Sequence, residues 1–255
     1  MSEAWLLSQL EFHLVWQAID RDRMPFPIEF RNDAEVLLDF ERECAAARTK
    51  LVALLKDEPD LHRALQALAR PKVRVEMFGI RRDGRDRMVR MHTGIDDGVG
   101  AVLVQEPGAA TDLDAAGDIR VYLHTPAEAL RRMVSLLPAV RPGTAHGVSI
   151  NRLDMVAPET WSAADARSPR EQVNRFLRRP YRTYLEIKVD QGPALDGWQQ
   201  TGRHLHVVDF EEEGRYLLSL GNRIEAKPLT AAELLARIQR AIDRTLDQER
   251  TSAWS

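Results

Sequence analysis

The chain has 255 residues, 44% hydrophobic and 29% charged, so it is long enough to bury a sizeable core and disorder is not expected. Its 36 basic and 39 acidic side chains are interspersed and leave a formal charge of −3, which gives no whole-protein field directed at nucleic acid or an anionic membrane. The one cysteine, Cys44, excludes an internal disulfide framework and suits a reducing cytosol, while the opening run MSEAWLLSQLEFHLVW, broken by Gln9, Glu11 and His13, predicts neither a signal peptide nor a spanning helix.

Residues 3–7 read as a short strand, and Ser8 with Glu11 forms a capping box for a helix running to about residue 20. Pro25 and Pro27 make 24–30 an extended connector, since proline breaks helices and cannot donate to a sheet ladder. Asn32 or Asp33 is expected to cap a long helix whose apolar stripe is Val36, Leu37, Phe40, Cys44, Ala47, Leu51, Leu54 and Leu55. A second helix over 60–70 stops at Pro71. Residues 72–80, 85–93 and 99–105 alternate or run apolar over strand lengths. Turn signals at Asp83-Gly84 and Asp97-Gly98 separate them, which predicts an antiparallel meander. The loop 107–118 leads into IRVYLHTPAEALRRMVSLL, residues 119–137, a strand and then a helix capped by Thr125 and Glu128. Residues 138–151 read as irregular or extended, and 152–167 as the connection between two halves.

Ser168 and Pro169 open a further helix that ends before Pro180, and 181–190, 202–210 and 215–220 are strands. Gly221-Asn222 turns the chain into a strand over 223–227. Thr230 and Glu233 then cap a closing helix with Leu234, Leu235, Ile238, Ile242 and Leu246 on one stripe. Sliding 119–137 by a constant offset lays Ile119 on Ile224, Thr125 on Thr230, Glu128 on Glu233, Leu130 on Leu235, Met133 on Ile238 and Leu137 on Ile242. Strand, cap and stripe all match, which argues for an internal duplication. The expected fold is α+β: an antiparallel β-sheet flanked by α-helices, in two similar halves, 1–151 and 152–255, related by approximate two-fold symmetry within one compact unit. Whether the halves share a sheet or pack side by side is left open.

No catalytic constellation emerges. His204 and His206 share a strand face at a spacing a metal site can use, but no third ligand accompanies them. His92, His124 and His146 are isolated. Cys44 sits on an apolar stripe, where a small buried hydrophobe is expected, not a nucleophile. Ser149 and Ser219 lack a GxSxG elbow, Gly94, Gly98 and Gly100 miss the GxGxxG spacing, and no phosphate-binding loop is present. Residues 211–213, three glutamates, read as a solvated hairpin tip. Arg81, Arg82, Arg85, Arg87 and Arg90 form the densest basic run, interrupted by Asp83 and Asp86 and read as the wet face of a strand pair. Catalytic, cofactor and metal residues are therefore expected to be none.

In order and spacing, AWLLSQLEFHLVWQAI, the proline connector, ALARP ahead of a strand, RVYLHTPAEALRRMVSLLP, and GRYLLSLGNR with its closing helix resemble the EspG family. These are the ESX (type VII) secretion-associated chaperones of actinobacteria. The resemblance covers nearly the whole chain and implies a cytosolic, non-enzymatic chaperone without cofactors. Such a protein would bind a helical secretion substrate, a PE–PPE heterodimer or analogue, and cover its aggregation-prone apolar tip until export. It further implies partner contacts on the exposed face of the central sheet, on the C-terminal helices, and on the loop between early strands. Here that loop is Arg82, Asp83, Gly84, Arg85 and Asp86. The chain itself would be a monomer or homodimer, with no nucleic-acid partner and no membrane insertion. The competing reading is an enzyme or small-ligand-binding domain with a cavity between the halves, lined by His204, His206 and convergent carboxylates.

Overall fold

Both halves contribute to one ten-stranded antiparallel sheet in the computed structural model, which describes residues 4–32, 35–145, 147–155, 168–194 and 201–252. The first half runs β1 (Trp5–Leu7), α1 (Gln9–Ala18), α2 (Leu37–Asp57), α3 (Pro59–Ala69), β2 (Val73–Arg81), β3 (Arg87–Asp96), β4 (Val99–Pro107), β5 (Ala116–His124) and α4 (Pro126–Ser135). After β6 (Ser149–Asn151) and a 3-10 turn (Arg152–Met155) come α5 (Pro169–Leu177), β7 (Tyr181–Gln191), β8 (Arg203–Phe210), β9 (Gly214–Leu220), β10 (Arg223–Pro228) and α6 (Ala231–Ser252). The strand order is β1-β5-β4-β3-β2-β7-β8-β9-β10-β6. From the central β2–β7 pair, where Met77 lies opposite Ile187, the sheet runs outward on each side through four consecutive strands to a three-residue edge strand, β1 on one side and β6, which precedes α5 in the chain, on the other. The question the sequence leaves open is thus answered by a shared sheet.

Capping boxes start four of the helices, at Ser8/Glu11, Thr125/Glu128, Ser168/Glu171 and Thr230/Glu233, satisfying backbone donors that would otherwise lack partners. One face of the sheet is covered by α4 and α6. Val73, Val75, Met77, Met91, Leu185, Ile187, Val189 and Val207 pack there against Leu130, Met133, Leu234, Ile238 and Ile242, all nearly or fully buried. The stripe predicted for the closing helix is thus its buried face, with Leu234 and Ile238 fully buried and Leu235 and Leu246 partly so. On the other face, α1, α2 and α3 cover β4 and β5, while Phe176 of α5 packs on Phe210, Tyr216 and Val208. Gly94 permits the close approach of α3 to β3, since a Cβ there would overlap the Ala67 carbonyl and lie 2.8 Å from Leu68 Cα.

Several expectations are corrected. The long helix begins at Leu37 with Val36 as an uncapped N-cap; Asn32 lies upstream of it and Asp33 lies outside the described residues. Val36 and Leu37, expected on the buried stripe, are 54% and 72% exposed, because only Cys44, Ala47 and Leu51 of this helix turn fully into the core. Strands extend into the expected 107–118 loop from both ends, with a bulge between Gln105 and Pro107. Arg90 is not on a wet face but 2% exposed, beside Glu29 and Asp114. In the expected inter-half connection, 156–167 lie outside the described residues, as do Glu3 and His146.

Candidate functional site

Between the region covered by α1–α3 and that covered by α5, the second face of the sheet keeps a half-buried strip. Phe78 and Ile80 of β2 lie opposite Glu186 and Tyr184 of β7, and His206 of β8 lies opposite Glu186, so these side chains share one face. His204 Nδ1 lies 2.6 Å from Glu186 Oε1, and Tyr184 Oη lies 3.3 Å from His206 Nδ1. Burial lowers the pKa of His206. The two histidines whose spacing a metal site could use are therefore engaged with a carboxylate and a phenol. Among the described residues no three His, Cys, Asp or Glu side chains group as a metal site requires.

Towards one end the strip meets a buried charge network. Arg74 donates through Nε to Glu76 (2.8 Å), through Nη2 to Asp190 (2.7 Å) and through Nη1 to the carbonyls of Gln191 and Gly192. Lys188 Nζ sits 3.3 Å from Asp190 and 3.6 Å from Glu76. Two cations and two carboxylates balance across the β2–β7 seam. For Asp190, burial alone would raise the pKa, but the Thr201 hydroxyl, Arg74, the Gln191 N–H and Lys188 outweigh it and hold the carboxyl below its usual range. The strip is bordered by the proline connector, which three polar side chains clamp. His92 Nδ1 donates to the Phe26 carbonyl (2.9 Å), Gln105 exchanges hydrogen bonds with the Glu29 backbone (2.7 and 2.9 Å), and Arg90 lies 3.3 Å from the Glu29 carboxylate. The Phe26 ring thereby stands 5.4 Å from the Phe78 ring. Phe26, Glu76, Phe78, Glu186 and Lys188 line a depression of about 310 Å³ at the junction of the halves.

The predicted partner loop is the β2–β3 hairpin tip, and it is internally braced. Asp83 accepts from Arg81 Nε (3.1 Å) and Nη2 and from Arg87 Nη2 (2.8 Å), and the hydrogen bond from Arg81 lowers its pKa. Arg87 Nη1 donates to the Asp83 and Arg85 carbonyls, Arg85 reaches the Gly108 carbonyl at 3.1 Å, and Gly84 takes the positive φ of the turn, +93°. Arg82 and Asp86 are the charged side chains left outward, 42% and 58% exposed and 3.6 Å apart, with the Arg82 guanidinium 4.5 Å above the Tyr181 ring. Asp83 thus shapes the tip, while Arg82 and Asp86 present its chemistry. The acidic turn after β8 is likewise only partly solvated. Glu213 accepts from the Ala145 N–H (2.6 Å), from Tyr216 Oη (2.8 Å) and from the Thr144 N–H (3.2 Å), bonds that lower its pKa. Burial and the bond to Glu213 push Tyr216 up to about 12.

Sequence reading passed over Arg74, Glu76, Lys188 and Asp190. The available signal was charge at alternate positions of VRVEM and LEIKVD, which a single strand presents as a solvent face and a central strand pair buries.

These features define an α+β protein with one antiparallel sheet flanked by helices and, among the described residues, a mixed polar and aromatic strip beside the β2–β7 pair that no helix covers. The sequence model of the EspG family matches residues 8–240, nearly the whole chain, and the chain belongs to that family, whose members are ESX secretion chaperones. No curated protein sequence matches it. Among the described residues no helix is long and apolar enough to cross a membrane.

Proposed function

We propose that this protein is a cytoplasmic, non-enzymatic chaperone that binds a helical ESX secretion substrate, a PE–PPE heterodimer or analogue, and keeps it dispersed until export. Membership of the EspG family over 8–240 carries the reading. The geometry supports it through the strip: among the described residues, a sheet face that no helix covers between α3 and α5 while its neighbours on either side are covered. An amphipathic helical tip laid there would remove its own apolar surface from water, the physical requirement of a chaperone for an aggregation-prone segment. The braced β2–β3 tip offers Arg82 and Asp86 at the rim, and rim charges set association rate and partner choice more than affinity.

Co-expression with a helical ESX substrate pair, followed by gel filtration, tests the reading. A stoichiometric complex is expected, with association slowed by Arg82→Glu combined with Asp86→Lys. Separate elution of chaperone and every such pair at micromolar concentration would refute it.

A further inference from the structure

We infer that the depression between Phe26 and Phe78 is a socket for one basic side chain, an arginine, of the bound helical partner. The partner's being a protein rests on the function proposed above, whereas the chemistry of the socket rests on the following geometry. About 310 Å³ is at the small end of ligand sites, which span roughly 300–1,000 Å³, and suits a single long side chain. Two phenyl rings with centroids 5.4 Å apart, inclined at 53°, form its apolar wall. Of the charges around it, Arg74 and Lys188 are balanced by Glu76 and Asp190, leaving Glu186 as the added carboxylate. Glu186 is 31% exposed and held in place by His204 at 2.6 Å. At the floor, Glu76, 1% exposed, has no hydrogen-bond donor on Oε2 among the described residues, and Lys188 Nζ stands 3.6 Å from that oxygen.

These observations discriminate among occupants. An apolar side chain would take the part-exposed Glu186 carboxylate out of water and add no donor to the one contact it has, with His204. A carboxylate would meet Glu76 and Glu186, against one lining cation, Lys188, that already stands between Glu76 and Asp190. A guanidinium satisfies both requirements, because its flat face and methylene stem lie against the rings while its fork donates to Glu186. Arginine is favoured over lysine because only the planar fork stacks and donates bidentately. The clamps on the connector through His92, Gln105 and Arg90 fix Phe26, so the wall exists before the partner arrives.

The full-length chain is titrated with N-acetyl-arginine amide and, separately, N-acetyl-leucine amide and N-acetyl-glutamate amide, with side-chain resonances followed by NMR. The expected result is saturable shifts for the arginine amide centred on Phe26, Phe78, Glu186 and His204. Leucine amide should bind at least severalfold more weakly, and glutamate amide should produce no shift. Glu186→Gln, which keeps shape and removes charge, should weaken arginine-amide binding roughly three- to tenfold and leave leucine-amide binding unchanged. Scattered or absent shifts, equal binding of leucine amide, or an unchanged Glu186→Gln response would overturn the socket. This result is independent of complex formation: failure of every substrate pair to co-elute refutes the chaperone reading, while the titration alone decides the socket.

Discussion

Asp209 and Arg215 show how much a single residue pair can control. Each is 1% exposed, the guanidinium donates through Nε and Nη2 to the two carboxylate oxygens at 2.6 and 2.9 Å, and the same Nη2 also donates to the Pro138 carbonyl at 3.0 Å, tying the start of the segment after α4 to the sheet. Truncating one partner leaves an uncompensated buried charge, so Asp209→Ala should cost about 3–5 kcal/mol, read as a lower denaturant midpoint. His92 supplies a pH signature. Burial lowers its pKa from 6.5, so the unfolded chain takes the proton first and stability falls as pH drops below about 6.5 towards the folded value. Its neighbours Glu76 and Arg74 pull in opposite directions and do not reverse the sign. Asp190 and Glu213, with lowered carboxyl pKa values, lose their contributions only below about pH 4, in a separate window. His92→Gln should flatten the slope between pH 7.5 and 5 in guanidinium titrations. Part of the slope should persist, because His13, His124 and His206 shift the same way.

At the scale of elements, the capping boxes are the strongest link from sequence to structure. Ser8, Thr125, Ser168 and Thr230 are each followed three residues on by glutamate, and each opens a helix, because the side-chain oxygens satisfy local donors whatever the tertiary context. Thr230→Ala should cost about 1 kcal/mol in chemical denaturation. The long helix shows the opposite case. Asn32 and Asp33 are good caps in isolation, yet the helix begins at Leu37 with Val36 at its N-cap, so local cap chemistry does not set its start. Gly94 is invisible to patterning too. It reads as a weak point in a strand, yet it is where α3 rests on β3, and Gly94→Ala should cost about 1–3 kcal/mol by forcing the helix away.

For the whole molecule, the antiparallel sheet flanked by helices is legible in the alternating strands and capped helices of the sequence, and the family pattern is legible in the order of motifs. The way the halves join is not. Nothing in VRVEMFGIR or YLEIKVDQ announces that the two strands pair with each other, since cross-strand partners over a hundred residues apart leave no local signal. That pairing creates the seam, buries Arg74, Glu76 and Lys188, and leaves Phe78, Ile80, Tyr184 and Glu186 as the open strip. The proposed chaperone role requires a partner on this strip. The most direct measurement is calorimetric titration of a co-eluting helical substrate pair with wild type, with Ile80→Asp on the strip, and with Arg48→Glu on the exposed side of α2. The prediction is a loss of affinity of at least about tenfold for Ile80→Asp and wild-type affinity for Arg48→Glu. Equal affinities for all three proteins would contradict it.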